Sequence, residues 1–123
     1  MSLNIVTLVG RAGMDPDVKY FESGKVKCKF SLAVNRPTRK SDRPDWFTLE
    51  IWGKTAEVAG NYVRKGSLIG VQGSLKFDFW NDRQTGVNRS APIIAVNRLE
   101  LLGSKQDTER ARGDWNQYDD SDY

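Results

Sequence analysis

Three tryptophans, Trp46, Trp52 and Trp80, fall in phase with polar and charged residues instead of with the apolar ones. In Trp46-Phe47-Thr48-Leu49-Glu50-Ile51-Trp52, strand alternation places Phe47, Leu49 and Ile51 on one face and both tryptophans, with Thr48 and Glu50, on the other. Between Leu68 and Trp80 the same alternation sets Ile69, Val71, Leu75, Phe77 and Phe79 against Gln72, Ser74, Lys76, Asp78 and Trp80. Each apolar set already furnishes a core face, so the indoles are surplus to the interior. Large rings left outside beside lysines suit a flat partner, and the bases of an unpaired nucleic-acid strand are flat. Stacking a base on an aromatic ring contributes about 1–3 kcal/mol and tolerates any sequence, because every base has a π face.

Phosphates need cations close by. The candidates are Lys25, Lys27 and Lys29 on the second extended segment, Arg36, Arg39, Lys40 and Arg43 in a loop, Lys54 ahead of a helix, Lys76 beside Trp80, and Arg83 and Arg89 around the last hairpin. Each neutralised phosphate of a single strand gives a salt slope of about −0.7. Duplex DNA hides its bases, so this mixture favours an unpaired strand. Two competing readings stand beside it. Outward tryptophans also pack in subunit interfaces, and a ladder of lysines also serves as a solvated strand face that blocks edge pairing.

Several chemistries are excluded by composition. The chain of 123 residues has no histidine and one cysteine, which removes imidazole-based nucleophile arrangements and thiolate or imidazole zinc sites. No catalytic residue, metal or cofactor is expected. Gly53-Lys54-Thr55 resembles the end of a phosphate-binding loop, but that motif needs glycine where Thr48 stands. Asn88-Arg89-Ser90 matches a glycosylation acceptor, which carries no weight without a secretory signal. Asp15 and Asp17 flank Pro16 as turn residues, and Cys28, in phase with Val26 and Phe30, reads as a small core residue. With no signal sequence and no long apolar run, a soluble cytoplasmic protein is expected.

The elements that must position these residues follow from the pattern. Leu3 to Val9 forms a first strand, closed by Gly10, Gly13 and Pro16. A second extended segment begins near Val18, passes a turn or bulge at Ser23-Gly24, and alternates through Val34, with Lys25, Lys27, Lys29 and Ser31 on its wet face. Arg36 to Asp45, with two prolines, is a basic loop. After the third strand, Lys54 to Lys65 predicts the one helix, with Thr55 as N-cap and Gly66 past its end. A long strand from Leu68 to Trp80, bent at Gly70 and Gly73, a polar loop over Asn81 to Gly86, and a last strand over Ala91 to Leu102 complete the order. Five strands joined by antiparallel connections, with a helix between the third and fourth, is the order of the oligonucleotide-binding (OB) barrel, an all-β fold.

Charge divides the chain. Residues 1–103 carry 16 Lys/Arg against 10 Asp/Glu, and residues 104–123 carry 3 against 6. The first part is read as one OB domain that meets a polyanion, and the second as a disordered acidic tail with too few apolar residues for a core.

Leu8-Val9-Gly10-Arg11, Asp15-Pro16, Asp45-Trp46-Phe47, Trp52-Gly53-Lys54-Thr55-Ala56-Glu57-Val58-Ala59, Tyr62-Val63-Arg64-Lys65-Gly66-Ser67, Val71-Gln72-Gly73-Ser74-Leu75, and Trp80 ahead of Asp82 and Gly86 resemble the bacterial single-stranded DNA-binding protein family, across about residues 3–103. The resemblance implies a homotetramer that wraps single-stranded DNA in replication, recombination and repair, with stacking at Trp46, Trp52 and Trp80. Trp52 stands where that family often has phenylalanine, and a further loop tryptophan of the family is not matched. Members end in an acidic Pro-Phe tip that recruits replication and repair proteins; here Asp119, Asp120, Asp122 and Tyr123 occupy that place without the proline. A terminal aromatic in an apolar pocket, with carboxylates meeting basic residues, is the physics of such capture. The residues also allow a single-stranded RNA chaperone on the same barrel, or a protein-interaction module that displays the tail.

Overall fold

The computed structural model describes residues 3–36 and 43–103. Alternating apolar residues pair there into six strands: β1 (Val6–Ala12), β2 (Asp17–Tyr20), β3 (Val26–Val34), β4 (Asp45–Trp52), β5 (Leu68–Asn81) and β6 (Asn88–Leu101). One helix, α1 (Gly53–Tyr62), lies between β4 and β5. The strands run in the order β1-β5-β6-β4-β3-β2, and a further pairing of β1 with β3 closes five of them into a ring. β2 hangs on the outside of that ring, bound to β3 through Asp17↔Lys29 to Tyr20↔Val26.

The ring interior is filled from every wall. Val26, Cys28, Phe30 and Leu32 come from β3, Leu49 and Ile51 from β4, Ile69 and Val71 from β5, and Ile94 and Val96 from β6. Ala56 and Ala59 on α1, with Val63 just beyond it, pack onto this core. Alternation thus builds a dry interior and leaves the other face of each strand for solvent or a ligand.

Closing a ring forces sharp bends. β5 and β6 shift register between Gln72 and Gly73, where Asn97 is the extra residue. A Cβ at position 73 would sit 2.1 Å from the Ala95 carbonyl oxygen, so only glycine lets the two backbones approach.

The structure differs from the sequence reading at definite places. Ser23-Gly24 is a full turn, with the Gly24 N–H donating to the Phe21 carbonyl at 2.9 Å, so the second segment becomes two strands and the total is six. The first strand runs on through Gly10 to Ala12, because the lack of a Cβ at Gly10 lets it cross the Ala33 carbonyl. One pairing, β4 with β6, is parallel, a result of ring closure that local hairpins do not reveal. The helix starts at Gly53 and has no side-chain cap, which places Thr55 inside it. Gly66 does adopt a φ of +92°, but in the turn after the helix, where its N–H donates to the Ala12 carbonyl.

The largest departure concerns β5. Ile69 and Val71 are buried as expected, but Leu75, Phe77 and Phe79 are exposed, Phe79 by 78%. The β5–β6 hairpin runs past the end of the ring, so the face that is interior at Val71 is outside by Phe77.

Candidate nucleic-acid interface

Strand register decides which outward side chains meet. Across β3 and β4 the facing pairs are Lys27↔Trp52, Lys29↔Glu50, Ser31↔Thr48 and Ala33↔Trp46. Glu50 then lies beside Ala95 of β6, which pairs with Ser74 of β5. Further along the same hairpin come Lys76↔Ile93, Asp78↔Ala91 and Trp80↔Arg89. Four strands therefore share one outer surface, with Trp46 and Trp52 on β4, Trp80 on β5, and Ala91, the buried Ile93 and Ala95 on β6 between them. Trp46 is 54% exposed, Trp52 46% and Trp80 49%. All three indoles lie outside the ring interior.

Each ring has its own seat. Trp46 lies over Gly13, where an added Cβ would come within 2.3 Å of the indole edge. Trp52 stacks on Phe21 in the β2–β3 turn, with centroids 5.8 Å apart and planes inclined by 23°. The Lys27 ammonium lies 5.5 Å from the Trp52 ring centroid, in cation–π range. The sequence did not point to Phe21, and it marked Gly13 only as a strand-ending residue, since the turn that delivers one and the crossing that brings the other under Trp46 are tertiary features.

At the centre is a carboxylate that alternation alone assigned to the wet face. Glu50 is only 3% exposed. Lys76 Nζ donates to its Oε1 at 2.6 Å, the Trp52 indole N–H donates to the same oxygen at 3.2 Å, and Lys27 Nζ lies 3.5 Å from Oε2. Burial pushes the carboxyl group up, but the hydrogen bonds from Lys76 and Trp52 and the charges of Lys76 and Lys27 outweigh it and hold the group below its ordinary value. The hydrogen bond to Glu50 correspondingly raises Lys76.

The other cations are spread around this surface. Lys29 is half-buried opposite Glu50, and Lys25, Lys54 and Arg83 are exposed. Arg36 pairs with Asp45 at 3.0 Å and Arg89 with Asp82 at 3.2 Å. Asp82 is held below its usual value first by the Gln84 backbone N–H, and further by Thr85 and Arg89, so it braces the hairpin tip. Arg43 is exposed where the described chain resumes. Arg39, Lys40 and the tail residues Asp119, Asp120, Asp122 and Tyr123 lie outside the described residues. Asp15 accepts the Lys65 backbone N–H at 2.7 Å, a long-range contact that ties the loop after β1 to the turn after the helix. Among the described residues no group of three or more Asp, Glu, Cys or His side chains is placed to hold a metal, and no helix is long and apolar enough to cross a membrane.

A five-strand ring closed in this order, with a helix between its third and fourth strands, defines the class as the oligonucleotide-binding fold. The family model for the single-strand binding protein family matches residues 3–102. The chain is 74% identical over 115 residues to single-stranded DNA-binding protein 1 of Nostoc sp., covering 94% of this chain and 96% of that one. It is 70% identical over 112 residues to single-stranded DNA-binding protein 1 of Synechocystis sp. (90% and 93% covered), and 38% identical over 110 residues to the single-stranded DNA-binding protein of Borreliella burgdorferi (86% and 74% covered). The chain belongs to the single-strand binding protein family, a family of binding proteins and not of enzymes.

Proposed function

We propose that the chain binds single-stranded DNA without sequence preference and protects it during replication, recombination and repair. Bases stack on Trp46, Trp52 and Trp80 while the surrounding cations neutralise phosphates. The observation that carries this reading is three half-exposed indoles on one outer surface, two of them opposite cations, Trp52 facing Lys27 and Trp80 facing Arg89. Lys25, Lys29, Lys54 and Arg83, exposed or half-exposed, serve the phosphates together with Arg36, Arg43 and Arg89 and with the loop residues Arg39 and Lys40. The names of the relatives support the choice of DNA.

The working form is a homotetramer in the cytoplasm, as membership of the family implies. The exposed Leu75, Phe77 and Phe79 on the far side of the hairpin support self-association, since a second copy would cover them. The acidic segment after residue 103, including Asp119, Asp120, Asp122 and Tyr123, recruits replication and repair proteins.

The test is an equilibrium titration of intrinsic tryptophan fluorescence with poly(dT) at several salt concentrations, alongside a matched RNA. Strong quenching that weakens as salt rises, with DNA preferred, is expected. No quenching and no salt dependence would end the reading, and preference for RNA would move it to the RNA-chaperone class.

A further inference from the structure

Glu50 is an odd residue to find in a surface that meets a polyanion. It is a buried carboxylate in the middle of the aromatic surface, and its oxygens pair with Lys27 and Lys76, two of the lysines that alternation would assign to phosphate. A phosphate brought between Lys27 and Lys76 would meet two ammonium groups whose charge Glu50 already offsets, and it would have to approach a fixed negative charge. Like charges in such a partly desolvated place repel strongly.

We propose that Glu50 is a positioning residue that sets which side of the bound strand, bases or phosphates, faces this surface. Its carboxylate fills the anion position between Lys27 and Lys76 and fixes the Trp52 indole, so this stretch of the surface takes bases and turns the phosphodiester chain away. The inference rests on the DNA-binding reading above and adds to it a division of labour among the cations.

Three features support the assignment. The carboxylate uses both oxygens, one for Lys76 and Trp52 and one for Lys27, so neither lysine is held by accident of a mobile surface pair. The indole N–H gives Trp52 an anchor that a phenylalanine ring lacks, and Phe21 supports the ring by stacking. Finally, the β6 residues in phase beside Glu50 are Ala95, Ile93 and Ala91, an apolar floor that suits a base and offers a phosphate no donor.

The test compares the salt dependence of poly(dT) binding by the wild-type chain and Glu50→Gln, with thermal melting to establish that the variant is folded. The amide keeps the acceptor for the Trp52 N–H but loses the charge, so Lys27 is released for phosphate and Lys76 keeps only its longer ion pair with Asp78, at 3.7 Å. The slope of log affinity against log salt is expected to steepen by about 0.7 to 1.4, one or two added phosphates. Raising salt fourfold then weakens the variant by about 3- to 7-fold more than the wild type. An unchanged or shallower slope in the folded variant would overturn the proposal, because a purely structural Glu50 alters affinity without adding phosphate contacts.

A second measurement needs no variant. In the complex of the wild-type chain with a dT oligomer, the Lys27 and Lys76 ammonium groups are expected to show no coupling to phosphorus, whatever ring-current shift a base stacked on Trp52 gives Lys27. Coupling of either one to phosphorus would overturn the proposal even if Glu50→Gln failed to fold. A wild-type chain that bound no poly(dT) at any salt would instead overturn the DNA-binding reading itself.

Discussion

The three indoles are held in three different ways, and the differences predict how each responds to change. Trp46 rests on a glycine, Trp52 is anchored by a hydrogen bond and a stacked phenylalanine, and Trp80 stands across from Arg89 on the hairpin. Glu50 links the site to stability. Its carboxyl group has a lower value in the folded chain than its ordinary one, so the unfolded chain binds the proton more readily in acid. The stabilisation is therefore complete above the unfolded value near 4.5 and is lost as pH falls through the folded value. Denaturant melts between pH 7 and pH 3 are expected to show a steeper acid loss for the wild type than for Glu50→Gln; equal acid limbs would contradict the assignment. Cys28 makes the opposite point. It is fully buried, and burial first, then the charge of Asp17, pushes the thiol up to about 11. Ellman's reagent at pH 8 is expected to leave the folded chain untouched and to modify one thiol after denaturation.

At the scale of elements, the bend in β5 is the point on which the ring depends. Gly73→Ala would drive a methyl group into the Ala95 carbonyl and is expected to cost about 1–3 kcal/mol, read as a lower urea midpoint with an unchanged slope. Period-two alternation made most strands legible, because burial of one face dictates it. Phe30, Leu49, Ile51 and Ile69 are core residues where the sequence put them. What alternation does not encode is where a strand leaves the body of the fold. Leu75, Phe77 and Phe79 keep the phase of Ile69 and Val71 yet stand outside, because the interior they would fill ends below them. For the same reason Trp80 could be placed on a face from sequence, whereas the Phe21–Trp52 stack and the buried Glu50 required knowing which strands become neighbours. The parallel β4–β6 pairing, which sets Glu50 beside Ala95, joins residues about 45 positions apart and leaves no local trace.

The whole molecule carries its functional surface on the outside of a ring whose interior is complete without it. Apart from the buried Glu50, this separation lets the outer rings be changed with little effect on the interior, which is the condition for a clean test. Trp46→Ala, Trp52→Ala and Trp80→Ala should leave the core intact, because each indole is about half exposed. The most direct measurement is the affinity of these three variants for a dT oligomer at fixed salt, with melting temperatures recorded alongside. If a base stacks on each ring, each variant binds more weakly by about 1–3 kcal/mol while melting near the wild-type temperature. Wild-type affinity in all three, or a fall in oligomer mass with affinity per chain unchanged, would assign the rings to a subunit interface and contradict the account.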